Sequence, residues 1–148
     1  MANTARRKGH DFERLVAKKL RDIGYPLAAT SRQESRALDE LEVDIANIPI
    51  YIQCKAGYEK SRPKYELILT RMEEKLINRP KHPKWVLHKL NGKTKTLAVT
   101  TSDEFYNIVY SMKRYDDLIN EMQNYILNND NSTTTFLKDM YARIFSSE

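Results

Sequence analysis

The chain has 148 residues, with 25 Lys and Arg against 20 Asp and Glu, three His and a single cysteine, for a net charge of +5. This length predicts one domain able to build a core without staples, and the lone Cys54 excludes an internal disulfide framework. No apolar run approaches a membrane span and the N-terminus lacks a signal-peptide core, so an intracellular, cytoplasmic protein without a membrane partner is expected.

Residues 3–24 read as an amphipathic helix, with Phe12, Leu15, Val16, Leu20 and Ile23 at helical spacing and Gly24 as the stop. Glu13 falls at the edge of the apolar arc, beside Leu20 on the wheel. It is either a solvated boundary residue or a carboxylate aimed at the mouth of the sheet. Arg6, Arg7, Lys8, Arg14, Lys18 and Arg21 make the remaining surface basic, while Lys19 interrupts the arc and must snorkel.

Two short apolar strands follow, Val43-Asp44-Ile45 and the alternating Ile50-Tyr51-Ile52-Gln53-Cys54-Lys55, with Asn47-Ile48-Pro49 as the turn. Closing that turn brings Asp44, Gln53 and Lys55 together. A hard divalent cation prefers oxygen ligands, and here a carboxylate from Asp44, the Gln53 amide oxygen and the Cys54 backbone carbonyl are within reach. Lys55, on the same side as Gln53, would orient or help deprotonate a water attacking phosphorus, which makes phosphodiester hydrolysis the indicated reaction. The plainer alternative is an ordinary cross-strand ion pair between Asp44 and Lys55.

Beyond this pair, residues 57–64 form a basic loop with Lys60, Arg62 and Lys64, which holds phosphates or merely connects. Residues 65–78 are predicted helical through Leu67, Ile68, Met72, Leu76 and Ile77, ending before Pro80. Residues 85–90 and 96–100 are strand-like, with Asn91-Gly92 as the turn. His82 and His88 are placed to contact phosphate, without metal-ligand spacing. Ser102 is the expected N-cap of a helix through Phe105, Ile108, Val109 and Met112. After residue 115 two more helical faces are expected, one from Leu118 to Ile126 and one from Phe136 to Phe145, covering the core or a dimer surface. Residues 1–95 carry 21 basic against 12 acidic residues, whereas residues 96–148 carry 4 against 8. A polyanion is therefore attracted to the first two thirds, with salt-dependent affinity.

The basic first helix with Lys8-Gly9-His10-Asp11-Phe12-Glu13-Arg14, the Gly24-Tyr25 exit, Asp44 and the Gln53-x-Lys55 ending resemble the PD-(D/E)XK nuclease superfamily. Within it, the likeness is to archaeal-type Holliday junction resolvases, over roughly residues 5–112. The resemblance implies an α/β, restriction-endonuclease-like core: a mixed central β-sheet flanked by helices over residues 1–115, with additional C-terminal helices in 116–148. It implies a magnesium-dependent endonuclease, with manganese able to substitute, that cuts four-way or other branched DNA as a homodimer in an archaeal, bacterial or virus-infected cell. Glu13, Asp44, Gln53 and Lys55 take the catalytic positions, and Glu13, Asp44, Gln53 and the Cys54 carbonyl the metal. Arg6, Arg7, Lys8, Arg14, Ser31, Arg32, Ser35, Lys60, Arg62 and Lys64 are the expected DNA contacts. Either Ser31 or Ser35 matches the serine that the family places before the motif strand. Gln53 departs from the resolvases, which usually carry Glu or Asp there, and resembles instead the Gln-x-Lys ending of Mrr-type restriction enzymes. Two other readings are a restriction- or repair-type nuclease on linear or flap DNA, and a DNA-binding module without catalysis.

Overall fold

A computed structural model describes residues 2–34, 36–57, 62–90, 95–128 and 135. The chain divides into two compact units, residues 1–104 and 105–148. In the first, the order is α1 (Ala2–Asp22), β1 (Ala29–Thr30), α2 (Ser31–Glu34), α3 (Arg36–Glu40), β2 (Ile45–Ala46), β3 (Tyr51–Gly57), α4 (Tyr65–Lys75), β4 (Lys84–Leu90) and β5 (Thr96–Val99). A last helix, α5 (Ser102–Asn128), begins in the first unit and continues into the second.

The fold is mixed α/β. Strands β3, β4 and β5 form a three-stranded sheet in that order, β3 parallel to β4 and β5 antiparallel to it. The parallel pair requires a crossover, which α4 supplies after Gly57. Register runs from Tyr51 opposite Lys84 to Gly57 opposite Leu90. Strands β1 and β2 form a separate antiparallel pair, Thr30 opposite Ile45.

Alternation along β3 explains the two cores. Tyr51 packs with Val43, Val86, the α4 residues Ile68, Leu69 and Met72, and Leu76 just after that helix, whereas Ile52 and Cys54 pack with Phe12, Val16, Ala17 and Ile45. Helices α1 and α4 therefore cover different faces of β3. Not all of the α1 arc is covered: Leu15 and Ile23 stay exposed along an open apolar trough of about 420 Å³ shared with Leu20, Ile52 and Leu87. Among the described residues no helix is long and apolar enough to cross a membrane.

Several expectations need correction. The segment before β2, for which periodicity gave no element, contains β1, α2 and α3. The helix after β5 is capped by Thr101, whose Oγ1 accepts from the Glu104 amide at 3.3 Å, in place of Ser102. Helix α5 also runs unbroken past residue 115, since nothing between residues 102 and 128 is Gly or Pro and the i,i+4 pair Lys113–Asp117 bridges the expected break. The division between the two compact units falls at residue 104, inside this helix. The Asn91-Gly92 turn and the helical face of residues 136–145 lie outside the described residues.

Candidate active site

Asp44 sits where the chain changes partners. Its backbone N–H donates to the Ile52 carbonyl of β3 at 2.8 Å, while its carbonyl accepts from the Ser31 amide at 2.9 Å, at the end of β1. The expected hairpin is reduced to the one main-chain bond to Ile52: no ladder joins β2 to β3, and β2 pairs with β1. The Asp44 carboxylate takes the Cys54 N–H at 2.6 Å. A side chain has replaced a main-chain partner at the fork between two strands.

That position is costly for a charge. Burial pushes the Asp44 carboxyl up to about 6 from an ordinary 3.8; the Cys54 amide pulls it down, the Glu13 charge raises it, Lys55 lowers it, and Asp39 raises it. Glu13 and Lys55 therefore both act on Asp44, one from α1 and the other from β3. The Cys54 thiol is pushed up by burial first and then by Asp44 and Glu13, which leaves it a protonated packing group.

Glu13 is only 7 % exposed, so it is the inward-aimed carboxylate and not a solvated boundary residue. Its Oε2 lies 3.5 Å from His10 Nδ1 and 3.9 Å from Arg32 Nε. Arg32 also reaches His10 Nε2 at 3.1 Å and Asp39 at 3.5 Å. A guanidinium only donates, so His10 Nε2 accepts and the imidazole proton sits on Nδ1, facing Glu13. His10 was missed by the sequence reading, although its i,i+3 spacing to Glu13 on one helix face was a usable signal.

Gln53 is 5 % exposed and shares its strand face with Tyr51 and Lys55. Its Nε2 donates to Glu42 Oε2 at a long 3.5 Å, and its Oε1 is buried without a partner. Glu42 in turn accepts from Lys75 at 3.0 Å. Burial would raise the Glu42 carboxyl, but Lys75 and Gln53 hold it below its ordinary value.

The expected DNA contacts divide. Arg6, Arg7, Lys8, Arg14, Arg62 and Lys64 are exposed, with Arg14 paired to Asp11 at 3.3 Å. Ser31 is 1 % exposed, drawn inward by its amide bond to Asp44, and its hydroxyl has no partner; it is not a surface contact for DNA. Arg32 is engaged with Glu13, Asp39 and His10. Ser35 and Lys60 lie outside the described residues. His88 is fully buried: its Nδ1 meets the Tyr65 hydroxyl at 2.7 Å and its Nε2 the Gly57 carbonyl at 3.2 Å, so the expected phosphate contact from His88 is corrected to a core tie. His82 lies against Tyr51 in a tilted arrangement, with ring centroids 5.2 Å apart and planes at 49°.

Among the described residues no group of three or more His, Cys, Asp or Glu side chains is arranged to hold a metal ion. The available donors are of another composition: the carboxylates of Glu13 and Asp44, which act on each other electrostatically, and on β3 the unpartnered Gln53 carbonyl oxygen. All are hard oxygens, and a buried acceptor lacking a donor fits a cation. No family model, no curated protein and no solved structure matches this chain.

Proposed function

We propose that the protein is a metal-dependent DNA endonuclease with a PD-(D/E)XK, restriction-endonuclease-like core, acting on four-way or other branched DNA. The observation that carries this reading is Asp44: a largely buried carboxylate, pushed up to about 6, held at a strand fork where the charges of Glu13 and Lys55 act on it. Burying two carboxylates together is unfavourable unless a cation joins them. Glu13, Asp44 and Gln53 would hold magnesium, with manganese able to substitute and the Cys54 carbonyl as a further oxygen donor. Such an ion supplies charge neutralisation at a scissile phosphate.

The side chains account for the other parts of hydrolysis. Lys55 supplies from β3 an ammonium whose charge acts on Asp44, suited to orient the attacking water or steady a phosphate oxygen. Arg6, Arg7 and Lys8 on α1, with Arg62 and Lys64 before α4, give an exposed basic surface for the backbone of DNA. Cutting a junction symmetrically takes two sites related by a dyad, so the working form is a homodimer. The apolar residues Tyr106, Tyr110 and Tyr115, exposed on α5, are candidates for its contact. A reducing, cytoplasmic compartment suits the buried free thiol of Cys54.

The test is incubation with labelled four-way junction, flap and linear duplex, with magnesium or EDTA. Paired magnesium-dependent nicks across the junction support the proposal. Cleavage confined to flap or linear DNA moves it to a repair- or restriction-type nuclease, and binding without cleavage moves it to a DNA-binding module.

A further inference from the structure

Glu42 stands two residues before Asp44 and, among the described residues, is one of two non-glycine residues with positive φ, at 61°. An L-residue is strained in this left-handed region, and glycine would occupy it without that cost. A long acidic side chain at such a position points to a use for the carboxylate that offsets the strain. The structure supplies one in its contact with Gln53.

We propose that Glu42 is a positioning residue that locks the Gln53 amide with its carbonyl oxygen free to meet a divalent cation. The proposal rests on the metal-dependent reading of the Asp44 site. An ionised carboxylate only accepts, so of the two ends of the Gln53 amide it takes the NH2 end. The 3.5 Å contact from Nε2 to Glu42 Oε2 thereby decides which way the amide is turned. What remains is Oε1, buried, unpartnered and on the strand face that carries Lys55. Glu42 is itself held from behind by Lys75 at 3.0 Å, and Lys75 also donates to the Glu40 carbonyl at 3.2 Å. The line Lys75, Glu42, Gln53 therefore runs from an exposed lysine to a bare acceptor.

The pairing also accounts for an amide at residue 53. A glutamate there would accept at both oxygens and need no orientation, but it would place a second carboxylate against Glu42 at contact distance. Amide and carboxylate fit as a pair, whereas two carboxylates do not.

This gives a cycle whose sign discriminates. Wild type, Glu42→Gly, Gln53→Glu and the double variant are titrated with Mn2+ alone, free ion being read by electron paramagnetic resonance, and melted separately in EDTA. Glycine suits the backbone at residue 42, so the first substitution removes the carboxylate without straining the fold. In the wild-type background Glu42→Gly should weaken Mn2+ binding by about tenfold, as expected for a group that orients a ligand. In the Gln53→Glu background the same substitution should cost no affinity, and in EDTA it should raise the melting temperature that Gln53→Glu has lowered. An equal loss of affinity in both backgrounds overturns the proposal, because Glu42 would then act only as distant charge; so does no loss in the wild-type background. Absence of Mn2+ binding by the wild type overturns the metal-dependent reading itself, whereas strictly additive melting temperatures overturn the Glu42–Gln53 contact.

Discussion

Asp44→Asn should make the metal-free protein more stable at neutral pH while removing its activity. The Asp44 carboxyl is raised by burial from 3.8 to about 6, so the fold prefers the free acid. Stability from this preference is fully present below the unfolded value near 3.8 and is lost as pH rises through about 6. At pH above 7 the buried charge costs the fold roughly 3 kcal/mol relative to a neutral group. Asparagine removes that cost, and the loss of a charged acceptor for the Cys54 amide is already contained in the value of about 6. The gain is therefore roughly 3 kcal/mol, or about 6–12 °C in melting temperature for a chain of this size. Thermal denaturation in EDTA from pH 3.5 to 8 measures it. The two curves should separate as pH rises through the window between the two values and stay close below it. Coincident melting at pH 7.5, or a gap that persists unchanged at pH 3.5, would refute the argument that burial sets the ionisation of this group.

Lys55→Ala should slow single-turnover cleavage of a labelled junction by about 100-fold or more while leaving the binding isotherm nearly unchanged, since it removes a group near the reacting phosphate and little of the basic surface. Equal losses in binding and chemistry would make Lys55 an ordinary DNA contact. Reversing charge at Arg62 and Lys64 should do the opposite, weakening DNA binding and flattening its salt dependence by roughly two phosphate contacts, as read from affinity against salt concentration. An unchanged salt slope would confine the basic bias to solubility. Ser31→Ala should raise the metal-free melting temperature slightly, because it deletes a buried hydroxyl without a partner, worth about 1 kcal/mol; a clear drop would reveal a hydrogen bond that holds Ser31 in the folded chain.

Periodicity made α1, β3, α4, β4 and β5 legible, because each buries a continuous stripe or an alternating face against a neighbour. The elements between residues 29 and 40 were not legible. Strand β1 is two residues long, and α2 and α3 are four and five, too short for either period to develop. They are fixed by tertiary bonds such as that from the Ser31 amide to Asp44. The site followed the same division. Asp44, Gln53 and Lys55 stood out because strand geometry brings distant residues together at a turn, and Glu13 because its wheel position left only two choices. Glu42 was not readable as part of the candidate site, since it depends on a positive φ, and Arg32 was readable only as a DNA contact, since its place beside Glu13 depends on how a short helix docks against α1. Tying Arg32 to Glu13 removes it from the freely available cations at the surface.

The bond between the Cys54 amide and the Asp44 carboxylate gives the molecule its own internal indicator. An amide proton held at 2.6 Å by a carboxylate changes its chemical shift when that carboxylate gains a proton or turns towards another partner. In a nitrogen–proton correlation spectrum, one main-chain signal from the middle of β3 should therefore follow the electrostatic state of the fork. Slow solvent exchange at Cys54 would record how long the two strands stay joined there. Since Asp44 is bonded through its backbone to both β3 and the end of β1, parting of the strands and loss of the carboxylate would appear at that single resonance as one event.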